Sequence, residues 1–384
     1  MIDLLALLAA AERERAWTVS LLTGLAEIES PSTDRAALER CAVRLAAACR
    51  ETGARVRREA GAPTADHVVA EWPGQGRPIL LLGHFDTVWP VGQLARMPVR
   101  QVDGRLHGPG VLDMKAGLAI ALTAMKVLAA GVPESARPPV TLLATSDEET
   151  GSATSRPVID ALARASAAAL VLEPAIPGGA LKTARKGVGE FEVRAHGVAA
   201  HAGADPSAGA SAVHELARQV AAMTALADPA AGLSVNVGVI EGGTRSNVVA
   251  ELARAWVDVR VSGGADGARI EAALNALRPL DPRVRLEVSG GINRPPMERS
   301  PGVAALFALA RDVARSWGEH LTEGATGGAS DGNFTAALGV PTLDGLGGVG
   351  DGPHALHEHV IVDVLPRRAA LLAGLLARAG TDLR

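Results

Sequence analysis

His84 and Asp86 stand two residues apart at the end of an apolar run, LLLGHFDTV (residues 80–88). On a strand this spacing turns both side chains to one side at its carboxyl end. An imidazole with a carboxylate beside it suits a metal ligand and its orienting partner, although the pair alone also fits a solvated strand end. Asp113, in GPGVLDMKAG (residues 108–117), follows glycines and precedes a helix beginning near Lys115. A carboxylate there can bridge two cations or cap the helix. VTLLATSDEETG (residues 140–151) ends a buried run in three successive acids, Asp147, Glu148 and Glu149. Adjacent carboxylates at the end of a core strand repel one another unless cations neutralise them or one keeps a proton. Their side chains diverge, so Glu149 can bind a metal while Glu148 takes a proton from water. Glu173 ends a further run, AALVLEPA, directly before Pro174, which favours extended backbone at the strand tip. GDGPHALHEHV adds three late histidines, His354, His357 and His359. With one of these, His84, Asp113, Glu149 and Glu173 form an oxygen-rich set that also contains nitrogen, suited to two zinc ions sharing a carboxylate.

Such a set needs strand ends that converge. The runs His67–Trp72, Pro78–Val88, Val140–Thr145 and Ala167–Leu172 are short, apolar and bounded mostly by Gly, Pro or polar residues, as buried strands are. Helical stretches alternate with them: one capped by Thr33 and running to Thr52, then Lys115–Ala130 and Arg156–Ala165. This alternation predicts an α/β layer with a largely parallel sheet flanked by helices, whose sites lie at strand ends. Between residues 187 and 294 the pattern becomes self-contained. It reads strand Gly189–Ala195, helix Ala208–Leu226, strands Leu233–Glu241 and Val248–Val261, helix Ala268–Leu277 and strand Val284–Ser289. That order is a βαββαβ two-layer unit. After Pro295 and Pro296, helix Val303–Trp317, strand Val340–Asp344 and helix Leu365–Ala379 return to the first layer. The expected organisation is a first layer in two parts, 1–186 and 295–384, with an inserted domain at 187–294.

These motifs, in this order, resemble the dinuclear zinc exopeptidases and amidohydrolases that include glutamate carboxypeptidase, aminoacylase and acetylornithine deacetylase. The resemblance rests on GHFDTV, GPGVLDMKAG, TSDEETGS, LEPA, AHAGADP, GGTRSNVV and GGASDGNFTAALGVPTLDGLG, and it spans nearly the whole chain. It implies a zinc catalytic domain with an inserted lid and dimerisation domain. By the same resemblance His84 and Glu173 bind one of two zinc ions per subunit, Glu149 and His354 bind the other, and Asp113 bridges them. Other divalent metals are compatible with these ligands. Asp86 then orients His84, Glu148 is the general base, and the peptide after Asp113 is cis. His354 is preferred to His357 because the family places a Glu four residues after this ligand, where Glu358 stands. His201, in AHAGADP, matches a lid histidine that reaches a partner subunit's site and polarises the scissile carbonyl. Asn247 and Arg294 match lid groups that bind the substrate's carboxylate, and the Gly327, Gly328 turn can offer backbone donors to the same carboxylate. The late segments resemble the glutamate carboxypeptidase branch most, implying release of a C-terminal amino acid, Glu foremost, from a peptide or N-acyl substrate in a homodimer. An N-acyl amino acid amidohydrolase is the alternative, and a non-catalytic metal- or peptide-binding protein is a third reading that the retained Glu148 argues against.

Composition narrows the field further. Hydrophobic residues make up 48% of the 384 and charged residues 21%, with a net charge of −4, so no basic face marks a nucleic-acid partner. Tyrosine is absent, which removes tyrosine nucleophiles and acids. Cys41 and Cys49 fall in one predicted helix, separated by roughly 12 Å of rise and beyond disulfide reach. With charged residues closing the apolar run Leu4–Ala10, this suggests a reduced, cytoplasmic setting. No apolar stretch is long enough to suggest a membrane span. Two rival motifs fail on context. GASDG fits a serine-nucleophile pattern but follows the polar, glycine-rich LTEGATG, and GLGGVG fits a dinucleotide fingerprint but opens no apolar helix.

Overall fold

The protein is described here by a computed structural model covering residues 3–382. The chain forms two compact units. One comprises Met1–Ala184, Arg299–Thr326 and Ser330–Arg384; the other comprises Arg185–Glu298 and Gly327–Ala329. In chain order the principal elements of the first are α1 (Leu4–Arg13), α2 (Arg15–Ala26), α3 (Arg35–Glu51), β1 (Arg55–Glu59), β2 (His67–Trp72) and β3 (Ile79–His84). They continue with α4 (Ala116–Gly131), β4 (Val140–Thr145), α5 (Arg156–Ala165) and β5 (Ala168–Val171). The second unit is β6 (Gly187–His196), α6 (Ala212–Thr224), β7 (Ser234–Gly242), β8 (Leu252–Val261), α7 (Gly264–Asn275) and β9 (Arg285–Arg294). The chain then adds α8 (Pro301–Arg315), α9 (Gly332–Ala337), β10 (Thr342–Leu343) and α10 (Leu365–Asp382) to the first unit.

Among the described residues, six strands form the main sheet in the order β1-β2-β4-β3-β5-β10. The sheet is mixed. Strands β4, β3, β5 and β10 pair in parallel, whereas β1 with β2 and β2 with β4 are antiparallel. The chain passes from β1 to β2 by a short connection, which returns the strand antiparallel without a helical crossover. Both faces are covered, which explains the unbroken apolar runs. Leu81, Leu142 and Leu170 pack into the core under α3, α4 and α10, while Leu80, Leu82, Leu143 and Val171 pack with Ile159 of α5 and Phe334 of α9. Helix α3 starts one residue later than its expected Thr33 cap, because the Asp34 carboxylate accepts the Ala37 N–H at 3.0 Å. Cys41 and Cys49 are free and buried on this helix. None of the described helices is long and apolar enough to cross a membrane.

The second unit is antiparallel throughout, in the order β7-β8-β6-β9. Its two central strands, β6 and β8, alternate strictly. Ala253, Ala255, Val257 and Val259 of β8 are buried with Phe191 and Val193 of β6 and with Leu216 of α6 and Ile270 of α7, leaving Arg254 and Glu190 on the opposite face. Glu215 of α6 is buried in this layer. Its carboxylate accepts from Gln219 Nε2 at 2.7 Å, Leu280 N at 2.9 Å and Asp281 N at 3.1 Å. Burial opposes the charge, but these donors prevail and hold the carboxyl below its ordinary value. A depressed folded value stabilises above the unfolded value of about 4.3 and is lost as pH falls through the folded one. Glu215→Gln should therefore cost roughly 1.5–3 kcal/mol near neutral pH and remove this group's share of acid sensitivity. Thermal unfolding followed from about pH 7 to about pH 3 checks this, and identical acid profiles for the two proteins would contradict it.

Candidate metal centre

Parallel pairing sets the carboxyl ends of β4, β3 and β5 side by side, with His84 opposite Thr145 and Leu82 opposite Val171. His84 therefore closes β3 beside the loop carrying Glu148 and Glu149, and Glu173 lies two residues past the end of β5. Asp113 arrives from across the chain, just before α4, with its peptide to Met114 in the cis form. Helix α4 approaches the β5 tip so closely that a Cβ at Gly117 would collide with the Leu172 carbonyl oxygen.

The carboxylate of Asp113 lies between two imidazoles. Its Oδ1 is 3.3 Å from His84 Nε2 and its Oδ2 is 3.5 Å from His354 Nε2. Each imidazole has a second carboxylate beside the same nitrogen: Glu173 at 3.5 Å from His84, and Glu149 at 3.2 Å from His354. Ligand atoms of His84, Asp113 and Glu149 all fall within 4.8 Å of one another. His354 takes a left-handed backbone conformation (φ 60°), uncommon for a residue with a side chain and typical of strained functional positions. His357 instead lies 4.0 Å from Asp351, and His359 pairs across its strand with His107. Of the three late histidines, His354 is the one beside Asp113 and Glu149.

Asp86 organises this cluster from beneath. It is fully buried and accepts from Ser32 Oγ at 2.7 Å, Glu148 N at 3.3 Å and Glu149 N at 3.1 Å. His84 Nδ1 lies 3.0 Å from the Asp86 carbonyl oxygen, which can only accept, and 3.3 Å from Oδ1. The ring proton therefore sits on Nδ1, and the Nε2 lone pair of neutral His84 faces Asp113 and Glu173.

The electrostatics express a demand for positive charge. Burial works against protonation of His84, yet Asp113, Asp86 and Glu173 overcome it and raise its pKa well above the ordinary value. Asp113 and Glu149 raise His354 to about 10. Burial opposes the charge on Asp113, but His354 and His84 hold its carboxyl well below the usual range; Glu149 is pushed up by burial. A cluster that draws protons onto two imidazoles at separate ends of one carboxylate fits two divalent cations at the same places.

The remaining predicted residues belong to the second unit. His201 is exposed, and its Nδ1 accepts from Gly203 N at 3.1 Å and Ala204 N at 3.0 Å, which leaves Nε2 as the protonated donor. Ala202 N donates to the Asn247 carbonyl at 3.0 Å, joining those two segments. Arg294 is half-buried opposite Val188, and Gly327 and Gly328 are exposed, with Gly328 O accepting from Arg185 Nη1 at 3.1 Å. The rival motifs are packed away. Ser330 is fully buried and its Oγ donates to Asp344 Oδ2 at 2.9 Å. In GLGGVG, Gly347 donates its N–H to the Glu173 carbonyl at 2.9 Å and a Cβ there would strike the Leu172 carbonyl.

Comparison with known proteins agrees with this architecture. The profile of Peptidase family M20/M25/M40 matches residues 80–378. Carboxypeptidase G2 of a Pseudomonas species is 30% identical over 383 residues, covering 97% of this chain and 91% of that protein. Acetylornithine deacetylase of Myxococcus xanthus is 32% identical over 220 residues, 53% of this chain and 55% of that one. The crystal structure of aminopeptidase PepT from Bacillus cereus has the same fold, with a TM-score of 0.76 at 21% identity over 94% of this chain and 98% of that chain.

Glu358 enters the sequence reading only as a marker for His354, but the structure gives it a task. It is buried, and its two oxygens accept four donors: Trp89 Nε1 at 3.1 Å and Gly110 N at 3.0 Å on Oε2, Leu112 N at 2.9 Å and Asp113 N at 3.0 Å on Oε1. Three of these are backbone groups of the loop that presents Asp113, and they leave no trace in residue type. Glu358→Gln places an amide where a charged acceptor stood and should loosen that loop. Divalent-metal affinity is expected to fall about 10–100-fold with little change in secondary structure; calorimetric titration of chelator-stripped protein measures it, and an unchanged affinity contradicts the role.

Proposed function

Because this chain belongs to Peptidase family M20/M25/M40, a family of metallopeptidases and amidohydrolases, we propose that it hydrolyses an amide bond to release a C-terminal amino acid, with glutamate the preferred product. Two zinc ions are the proposed cofactors, one on His84 and Glu173, the other on Glu149 and His354, with Asp113 between them. The observation that carries this reading is the Asp113 carboxylate, whose two oxygens face separate imidazoles that each have their own acid. When bound, such cations acidify water and stabilise negative charge on an amide oxygen.

The chain's own groups do the rest. Glu148 accepts a proton from the water that attacks the amide carbon. It returns that proton to the nitrogen as the C–N bond breaks, leaving a carboxylate and an amine. Asp86 fixes the His84 ring and, through the Glu148 and Glu149 amides, the loop that carries the base. Residues 187–294 act as lid and dimerisation domain on the remaining layer, 1–186 and 295–384. From this lid His201 directs its Nε2–H at the carbonyl oxygen of a substrate on the partner subunit. Asn247, the Arg294 guanidinium and the Gly327 and Gly328 amides receive the substrate's carboxylate. A cytoplasmic homodimer acting on peptides or N-acyl amino acids is the corresponding assembly. The likeness to a deacetylase favours N-acyl amino acid hydrolysis as the second reading; substrates varied separately on each side of the amide separate the two.

Glu148→Gln should retain its metal, measured by elemental analysis, while kcat on an N-acyl glutamate falls about 10²–10⁴-fold. Undiminished turnover removes Glu148 from the mechanism. Mixing inactive Glu148→Gln protein with an inactive His201→Ala variant is expected to restore part of the activity through hybrid dimers. Silence after demonstrated subunit exchange counts against action across the dimer.

A further inference from the structure

Of the three acids that close β4, Asp147 has no part in the chemistry above, yet it is nearly as buried as Asp86. Its Oδ2 accepts from Thr154 Oγ1 at 2.7 Å, Thr154 N at 2.7 Å and Ser155 N at 3.2 Å. Its carbonyl accepts from Thr150 N and Ser152 N, and Gly151 N bonds back to Glu148 O. The segment holding Glu148 and Glu149 is thus one tight turn folded over Asp147.

Hydrogen-bond polarity extends the chain of contacts to His67. A carboxylate can only accept, so the single proton of Thr154 Oγ1 goes to Asp147, and that oxygen must accept from His67 Nε2, which lies 3.2 Å away. At the other side of the ring Ser146 N donates to His67 Nδ1 at 3.2 Å. One tautomer satisfies both contacts: neutral imidazole with its proton on Nε2. His67 is fully buried at the start of β2, and its ring spans the two ends of the turn, Ser146 on one side and Thr154 on the other. Burial pushes its pKa below the ordinary value although Asp147, Asp331 and Asp86 pull the other way, in keeping with the neutral form.

We propose that His67, through Thr154 and Asp147, is a positioning residue that holds the Glu148 turn in register for proton transfer. The proposal rests on Glu148 being the base. Displacing a reacting group by about 1 Å can cost roughly 10²-fold in rate without loss of binding, which sets the scale of the test.

Full-length Thr154→Val keeps the side chain's shape and removes both side-chain contacts. Its kcat on an N-acyl glutamate is expected to fall about 10–100-fold with KM and metal stoichiometry unchanged. Thr154→Ser, which restores the hydroxyl, should recover most of the rate. In the double variant Glu148→Gln/Thr154→Val the rate should be no lower than in Glu148→Gln alone, because a group that acts through Glu148 has nothing left to position. His67→Phe keeps a ring and removes both nitrogens; it carries the same expectation should Thr154→Val not fold. A wild-type kcat in the folded variant, or a full additional loss in the double variant, overturns the proposal. If Glu148→Gln is itself fully active, the base assignment fails instead, so the two failures are distinguishable.

Discussion

Asp86 carries a negative charge with no exposure to solvent, and the arrangement of the centre follows from how that charge is satisfied. Burial alone would favour the protonated acid, but the His84 ring, Ser32 and the Glu149 amide hold the carboxyl below its ordinary value. The same two oxygens thus fix an imidazole on β3 and the backbone that follows β4. Removing the carboxylate would leave the ring its contact with the Asp86 carbonyl but take away the charge beside Nδ1, and would strand the Glu148 and Glu149 amides at once, which is why a group that need touch no substrate constrains so much.

Above Asp86 the strand ends gather more negative charge than a protein surface ordinarily tolerates in one place. Glu149 and Glu173 converge with His84 because three parallel neighbours end in register, Asp113 reaches them from the loop before α4, and two glycines, Gly117 and Gly347, let helix and loop backbone press against the carbonyl just before Glu173. Repulsion among these acids is relieved by positive charge or by a proton kept on one of them, and the acids accordingly raise the pKa of both histidines. The fold holds the acids in place through the packed sheet beneath them, and the chemistry of the centre follows from that enforced proximity.

Much of this was legible in the chain because burial on both faces writes itself as uninterrupted apolar residues: His67–Trp72 and Val140–Thr145 form strands with the expected limits. Other features have no such signature. The apolar stretch Val248–Ala250 reads as the start of β8, which begins at Leu252; Val249 N instead bonds to Ala200 O and Ala212 N to Ala250 O, so these residues brace the His201 segment. The strands Arg100–Val102 and Arg105–His107 are three residues each and mostly exposed, and the latter is held by His359–Ile361 from the far end of the chain. Helix α1 shows in the sequence only as the apolar run Leu4–Ala10, and α2 buries Thr18, Leu21, Leu22, Leu25 and Ala26 at helical spacing among partly or fully exposed residues, so neither carries the strand-like signature of the sheet. Glu358 acts largely on backbone amides, and an amide is the same group in every residue but proline.

The division of the chain into two units has a chemical logic of its own. Apart from its two imidazoles, the cluster in the first unit offers acceptors only, and so attracts cations while repelling any substrate that carries a carboxylate. The second unit holds the opposite kind of group: His201 with its proton on Nε2, the Asn247 amide and the Arg294 guanidinium. On the proposed reading a substrate with an amide to cleave and a carboxylate to recognise needs both. Placing donors among the acids would let them neutralise the centre and weaken its hold on cations. Keeping them on a separate unit lets each set retain its charge.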